Sequence, residues 1–203
     1  SMIGHWCHLG GMISGIVLAS FLKLGRGAVE ERHLEIGVKA AGARVGYGEG
    51  EQSLRMVLQR NPENAEAMLM LARIRSKYTT SNEGRELYAG AISRMIASQP
   101  QEAAQAYQEY CASYRQALEP SVMMALAGIF QRRVNLDSAT RCLEAVIGTP
   151  GVTPDLRCRA LAQCAAMLDK MGLEEVACGY YQTLIDEFPH SDISHRAYAR
   201  LGK

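Results

Sequence analysis

The chain has 203 residues, of which 48% are hydrophobic and 21% charged, with a net charge of +1. That balance excludes a disordered chain, which would be poor in apolar residues and far from neutral. Broad nucleic-acid binding is excluded by the missing basic excess. Six cysteines in a chain of this length are too few for a disulfide scaffold.

Charge is unevenly distributed. Residues 1–24 carry one charged side chain, Lys23. Residues 3–22, IGHWCHLGGMISGIVLASFL, contain no Lys, Arg, Asp or Glu. As a helix they span about 30 Å, the hydrocarbon thickness of a bilayer. Lys23 and Arg26 follow, and flanking cations favour the cytoplasmic side. The expectation is a membrane span followed by a cytoplasmic portion. Basic residues do not precede the apolar run, which argues against a signal peptide.

His5 and His8 lie inside this run, where ionisable groups are costly and usually functional. Gly11, Gly15 and Ala19 follow His8 near one helical face. Small residues at this spacing admit a neighbouring helix. The stretch His8-Leu9-Gly10-Gly11-Met12-Ile13-Ser14-Gly15 resembles the last core transmembrane helix of rhomboid-family intramembrane serine proteases, which carries an H-x-x-G-x-x-x-G motif. The resemblance implies that His8 is the catalytic general base and that Gly11 and Gly15 are helix-packing positions. It covers about the first 24 residues. The family's G-x-S-G nucleophile motif does not occur. Ser14 lies six residues from His8 on the same helix, about 9 Å along the axis, too far for a hydrogen bond. The expectation is therefore the C-terminal part of a rhomboid-like protease, inactive by itself. The alternative is a non-enzymatic scaffold held by a single membrane anchor.

From about residue 28 the pattern is all-α. Proline is confined to Pro62, Pro100, Pro120, Pro150, Pro154 and Pro189, and good helix formers fill the intervals. A helix is predicted over 28–44. Gly46, Gly48 and Gly50 read as a turn between helices, since no Lys-Ser/Thr follows to make a phosphate loop. The expected domains are 1–24, a connector over 25–48, and a helical repeat over 49–203.

The repeat is visible by self-comparison. Leu126, Ala127, Phe130, Ala139, Leu143 and Val146 match Cys164, Ala165, Leu168, Ala177, Tyr181 and Leu184 at an offset of 38 residues. These positions resemble 7, 8, 11, 20, 24 and 27 of the tetratricopeptide repeat (TPR), with Gly172 at 15 and Pro189 at 32. The resemblance implies a solenoid of helical hairpins. Small residues at 8 and 20 would let the two helices of a hairpin approach. A partial third register holds Leu54, Val57 and Leu58 before Pro62, then Met68, Leu71 and Ala72 after it. Residues 82–119 read as two helices that do not phase with the rest. Their stripe Tyr107, Tyr110, Tyr114 and Leu118 reads as packing. Ser191–Leu201 reads as a closing helix. A non-repeating bundle is the competing architecture.

The TPR resemblance also implies a concave face. It projects Glu66, Leu69, Arg73 and Lys77, then Met124, Gln131 and Arg132, then Arg159, Asp169 and Lys170. Arg73, Lys77, Arg132, Arg159 and Lys170 are the candidate partner-binding residues, suited to an acidic segment or a peptide carboxylate. The expected partners are a protein or peptide on that face and a membrane through residues 3–22. No cofactor and no metal is expected. Cys7, Cys111, Cys142, Cys158, Cys164 and Cys178 form no C-x-x-C pair, and His5 with His8 lacks a third ligand. His33, His190 and His195 read as isolated and exposed.

Overall fold

The computed structural model describes residues 24–42, 47–78 and 80–202. Among these there are ten α-helices and no strand. They are α1 (Leu24–Gly42), α2 (Tyr47–Arg60), α3 (Ala65–Ser76), α4 (Asn82–Ser98), α5 (Pro100–Ser113), α6 (Pro120–Arg132), α7 (Leu136–Ile147), α8 (Pro154–Lys170), α9 (Glu174–Glu187) and α10 (Asp192–Leu201). The chain divides into two compact units, one ending at Leu87 and one beginning at Tyr88, within α4. No helix among the described residues is long and apolar enough to cross a membrane. The apolar run 3–22, with His5, His8, Gly11 and Gly15, lies outside the described residues.

Proline placement explains the helix starts. Pro100, Pro120 and Pro154 stand in the first turns of α5, α6 and α8, where a missing N–H loses no helical bond. Asn64, Asn135 and Ser191 cap α3, α7 and α10 by accepting a backbone N–H from within the first turn.

In the first unit, α1 and α2 form a hairpin and α3 packs on both. Ala40, Ala41, Leu54, Val57, Ala67, Leu71 and Ile74 form its core, with Leu34, Leu58, Met70 and Leu87 packed on it. The helices approach through missing side chains. A Cβ on Gly37 would stand 2.4 Å from the Leu54 side chain. A Cβ on Gly50 would stand 2.1 Å from that of Ala40. This corrects the reading of Gly48 and Gly50 as a turn: both lie in α2, and Gly50 is glycine because α1 passes over it. The predicted helix over 28–44 is α1, and it joins the core instead of standing apart. His33 is half-buried, not exposed, because it shares a face with Gly37 and Ala41.

In the second unit, α6 and α7 form a hairpin and α8 and α9 another; α8 packs on α7, and α10 packs on α9 and α8. Leu126, Ala127, Phe130, Ala139, Leu143 and Val146 are all buried, as are Cys164, Ala165, Leu168, Ala177 and Leu184. Tyr181 is half-buried, with its hydroxyl donating to Asp169 at 3.1 Å. Every small residue expected between paired helices is therefore in a core.

Residues 82–119 hold two helices, α4 and α5, followed by extended backbone rather than a third. Tyr88, Tyr107, Tyr110, Tyr114 and Phe130 pack as one aromatic cluster, with ring centroids 5.2–6.3 Å apart. The Tyr110 hydroxyl donates to the Gln116 carbonyl at 2.8 Å, which ties down the extended segment. Leu118 is buried beyond it. The tyrosine stripe is packing, with its polar tips used locally.

Candidate protein-docking surface

Of the five candidate cations, Arg73 and Lys77 belong to the first unit. Arg73 is half-buried and lies 3.7 Å from the Met70 sulfur. Lys77 donates to the Ala41 carbonyl. That carbonyl belongs to the last turn of α1, where a cation is favourable. Lys77 thus has a structural task, closing α1. Nearby, Arg55 and Arg75 alternate with Glu51 and Glu83 in a network of contacts of 2.6–3.2 Å. This network fastens α2, α3 and the start of α4.

Arg132, Arg159 and Lys170 belong to the second unit, and all are exposed. On α8, Arg159, Ala162, Ala166 and Lys170 recur at helical spacing and form one stripe. On α6, Met124, Gly128 and Arg132 do the same. A Cβ on Gly128 would meet only the Arg132 guanidinium, at 3.6 Å. The Arg132 head group thus lies along its own stripe. Helices α6 and α8 are in contact, so the two stripes are neighbours.

A third stripe was missed in the sequence. On α10, Ile193, Arg196 and Arg200 follow the same spacing, and both arginines are exposed. Arg200 donates to both carboxylate oxygens of Asp169, at 3.0 and 3.3 Å. That fork fixes the α10 stripe beside the α8 stripe. The signal was present: with Pro189 at position 32, the next repeat starts at Asp192, and Arg196 and Arg200 fall at its positions 5 and 9.

Small side chains thus separate the two cations of α8, and α6 and α10 add further cations on their own stripes. Two carboxylates lie among them, and each is already engaged. Asp155 contacts Arg159 one turn on, at 3.4 Å. Asp169 receives Arg200 and the Tyr181 hydroxyl. These hydrogen bonds raise the Arg200 pKa, with Asp169 the largest cause. Burial, with the bond to Asp169 second, raises that of Tyr181. Arg132, Lys170 and Arg196 are engaged by no carboxylate among the described residues.

No protein-family model matches the chain, and no curated protein matches it. Solved structures do show similarity. A crystal structure of MamA protein is 18% identical with a TM-score of 0.39, covering 79% of this chain and 92% of that one. TTC0263, a thermophilic TPR protein of Thermus thermophilus, is 17% identical with a TM-score of 0.37, covering 86% and 100%. PilF of Pseudomonas aeruginosa is 16% identical with a TM-score of 0.37, covering 87% and 99%. The repeat character of this chain is carried by its register and burial.

Other chemistry is sparse. No three His, Cys, Asp or Glu side chains among the described residues gather as a metal site. Cys142, Cys158 and Cys164 are buried. Burial pushes the Cys142 and Cys164 thiols up to about 12, so both stay protonated and act as small apolar groups. His190 and His195 are exposed. None of these residues forms a nucleophile–base pair.

Proposed function

We propose that this chain is a TPR-like protein-docking module. An acidic segment of a partner docks along the adjoining stripes of α6, α8 and α10. The observation that carries this reading is the α8 stripe: exposed Arg159 and Lys170 flank Ala162 and Ala166. The alanines leave room for a backbone to lie close, and the cations offer charge-assisted hydrogen bonds to carboxylates. Arg132 and Arg196 extend the cationic field. Arg73 and Lys77 form a separate and weaker candidate, since Lys77 is committed to Ala41. A fluorescently labelled Glu-rich peptide should bind the full chain and be released by salt, while a Lys-rich peptide of equal length should not bind. Equal binding of both peptides would contradict the proposal.

For residues 1–24, of which 1–23 lie outside the described residues, we propose the rhomboid-like reading. The run 3–22 crosses a membrane, the docking module faces the cytoplasm, and His8 serves as general base toward a serine supplied by an earlier helix of a longer protease. The spacing His8, Gly11, Gly15 supports this reading. The reading predicts that the chain alone resists labelling by a fluorophosphonate serine-hydrolase probe; covalent labelling would sink it. His8→Leu in the intact membrane protein should abolish proteolysis and leave peptide docking unchanged. Unchanged cleavage would leave only an anchored scaffold.

A further inference from the structure

Two turns of the second unit share one geometry and break opposite rules. At the end of α6, Asn135 N–H donates to the Phe130 carbonyl and Val134 N–H to that of Gln131, both at 3.0 Å. At the end of α8, Leu173 N–H donates to the Leu168 carbonyl and Gly172 N–H to that of Asp169, again both at 3.0 Å. Both are Schellman motifs, whose fifth residue must adopt positive φ. In the second turn this residue is Gly172, with φ 75°. In the first it is Val134, with φ 59°. A β-branched residue is strained there.

The following residue caps the next helix. In the first turn it is Asn135, whose Oδ1 accepts the Ser138 N–H at 3.1 Å. In the second it is Leu173, which makes no side-chain cap. Each turn therefore follows one local rule and violates the other, each time by placing an apolar side chain in water. Val134 is 80% exposed, Leu173 44%, and Val176, one turn into α9, 50%. An apolar side chain suits the sixth place of a Schellman motif, where Leu173 stands, but not the fifth, where Val134 stands. Violations of local preference concentrate at functional surfaces.

Both are the inner turns of successive hairpins. The Thr140 hydroxyl lies 3.9 Å from the Met171 sulfur, which places the start of α7 beside the second turn. Val134, Leu173 and Val176 thus share one edge of the unit. Charge on this edge is divided. Arg132 and Arg133 end α6 next to Val134, while Glu174 and Glu175 open α9 next to Leu173. All four are exposed. Glu174 has only a long contact, 3.9 Å, to Arg200. An edge basic at one end, acidic at the other and apolar between is complementary to itself under a two-fold rotation.

We propose that this edge pairs two copies of the chain. Val134 of one copy packs against Leu173 and Val176 of the other, and Arg133 meets Glu174 and Glu175. A patch of three apolar side chains is small, so the pairing is weak and reversible. It adjoins the docking stripes proposed above through Arg132 and the Glu174–Arg200 contact, and the substitutions that test it leave Arg159 and Lys170 untouched.

The test is sedimentation of the full chain in detergent over a concentration series. Val134→Gly should raise the melting temperature by roughly 2–4 °C, because strain is relieved, and should weaken self-association by at least about tenfold. Arg133→Glu alone and Glu174→Arg/Glu175→Arg alone should each sediment as monomers, and their mixture should pair. Monomeric wild type, or pairing indifferent to these substitutions, would overturn the proposal. Indifferent pairing would place self-association elsewhere in the chain, such as the apolar run 3–22.

Discussion

The hairpins α1/α2 and α6/α7 are closed by different means. In α6/α7 the helices meet across Ala127 and Ala139, both fully buried, beside large residues such as Phe130 and Leu143. In α1/α2 they meet across Gly37 and Gly50, where even a methyl group would collide with the opposite helix. One seam is filled by side chains of ordinary size; the other is made by removing them. The first kind should lose stability mainly when side chains are cut back. The second should lose it when they are added.

The largest expected effect is in the filled seam. Phe130→Ala removes a fully buried ring packed on Tyr107 and should cost about 3–5 kcal/mol, read as a lower denaturant midpoint. Next is Gly50→Ala. Better helix propensity would contribute up to about 1 kcal/mol, but the new methyl meets the Ala40 Cβ, which is fixed to the backbone. Overpacking of this kind costs about 1–3 kcal/mol, so the net effect should be destabilising. Gly179→Ala is the control with the opposite sign. Gly179 is exposed in α9 with open space around it, so the substitution should stabilise by roughly 0.5–1 kcal/mol. If both glycine substitutions stabilise, the close approach of α1 to α2 is refuted.

A smaller effect concerns the seam between α8 and α9. Arg157 forks onto Glu187 at 2.6 and 2.7 Å and also donates to the Ile147 carbonyl. The hydrogen bond from Arg157 holds the Glu187 carboxyl below its ordinary pKa. A depressed carboxylate adds stability above its unfolded pKa, and this is lost as pH falls through the folded one. Both groups are about one-third exposed, so solvent screening limits the contribution to about 0.5–1 kcal/mol. Glu187→Gln should be less stable than wild type at neutral pH, and the difference should shrink as pH falls through the lowered pKa of the Glu187 carboxyl. A difference that persists in acid would mean the pair does not act through charge.

The same contrast explains what could be read in the sequence. Ala127, Phe130, Ala139 and Leu143 announce a hairpin because apolar residues at helical spacing have few other uses. Gly48 and Gly50 announce a turn, because glycine is a poor helix former; only the approach of Ala40 shows why Gly50 belongs in a helix. Residues 82–119 resist phasing because the chain from Ala65 to Glu119 holds three helices, α3, α4 and α5, and then the extended run through Gln116. An odd number of helices breaks the alternation on which the register depends. Of the site, Arg132, Arg159 and Lys170 were legible from the register. Arg196 and Arg200 continue the same register, but α10 reads as a closing helix until Asp169 is seen holding Arg200.

The docking claim is tested most directly by charge reversal. Arg159→Glu/Lys170→Glu should weaken binding of a labelled Glu-rich peptide at least about tenfold, since carboxylates would face carboxylates. The charge-matched control Arg32→Glu/Arg60→Glu, two exposed positions of the first unit, should change it less than about twofold. Equal losses in the two variants would show that net charge, and not the α8 stripe, attracts the peptide, and would contradict the account.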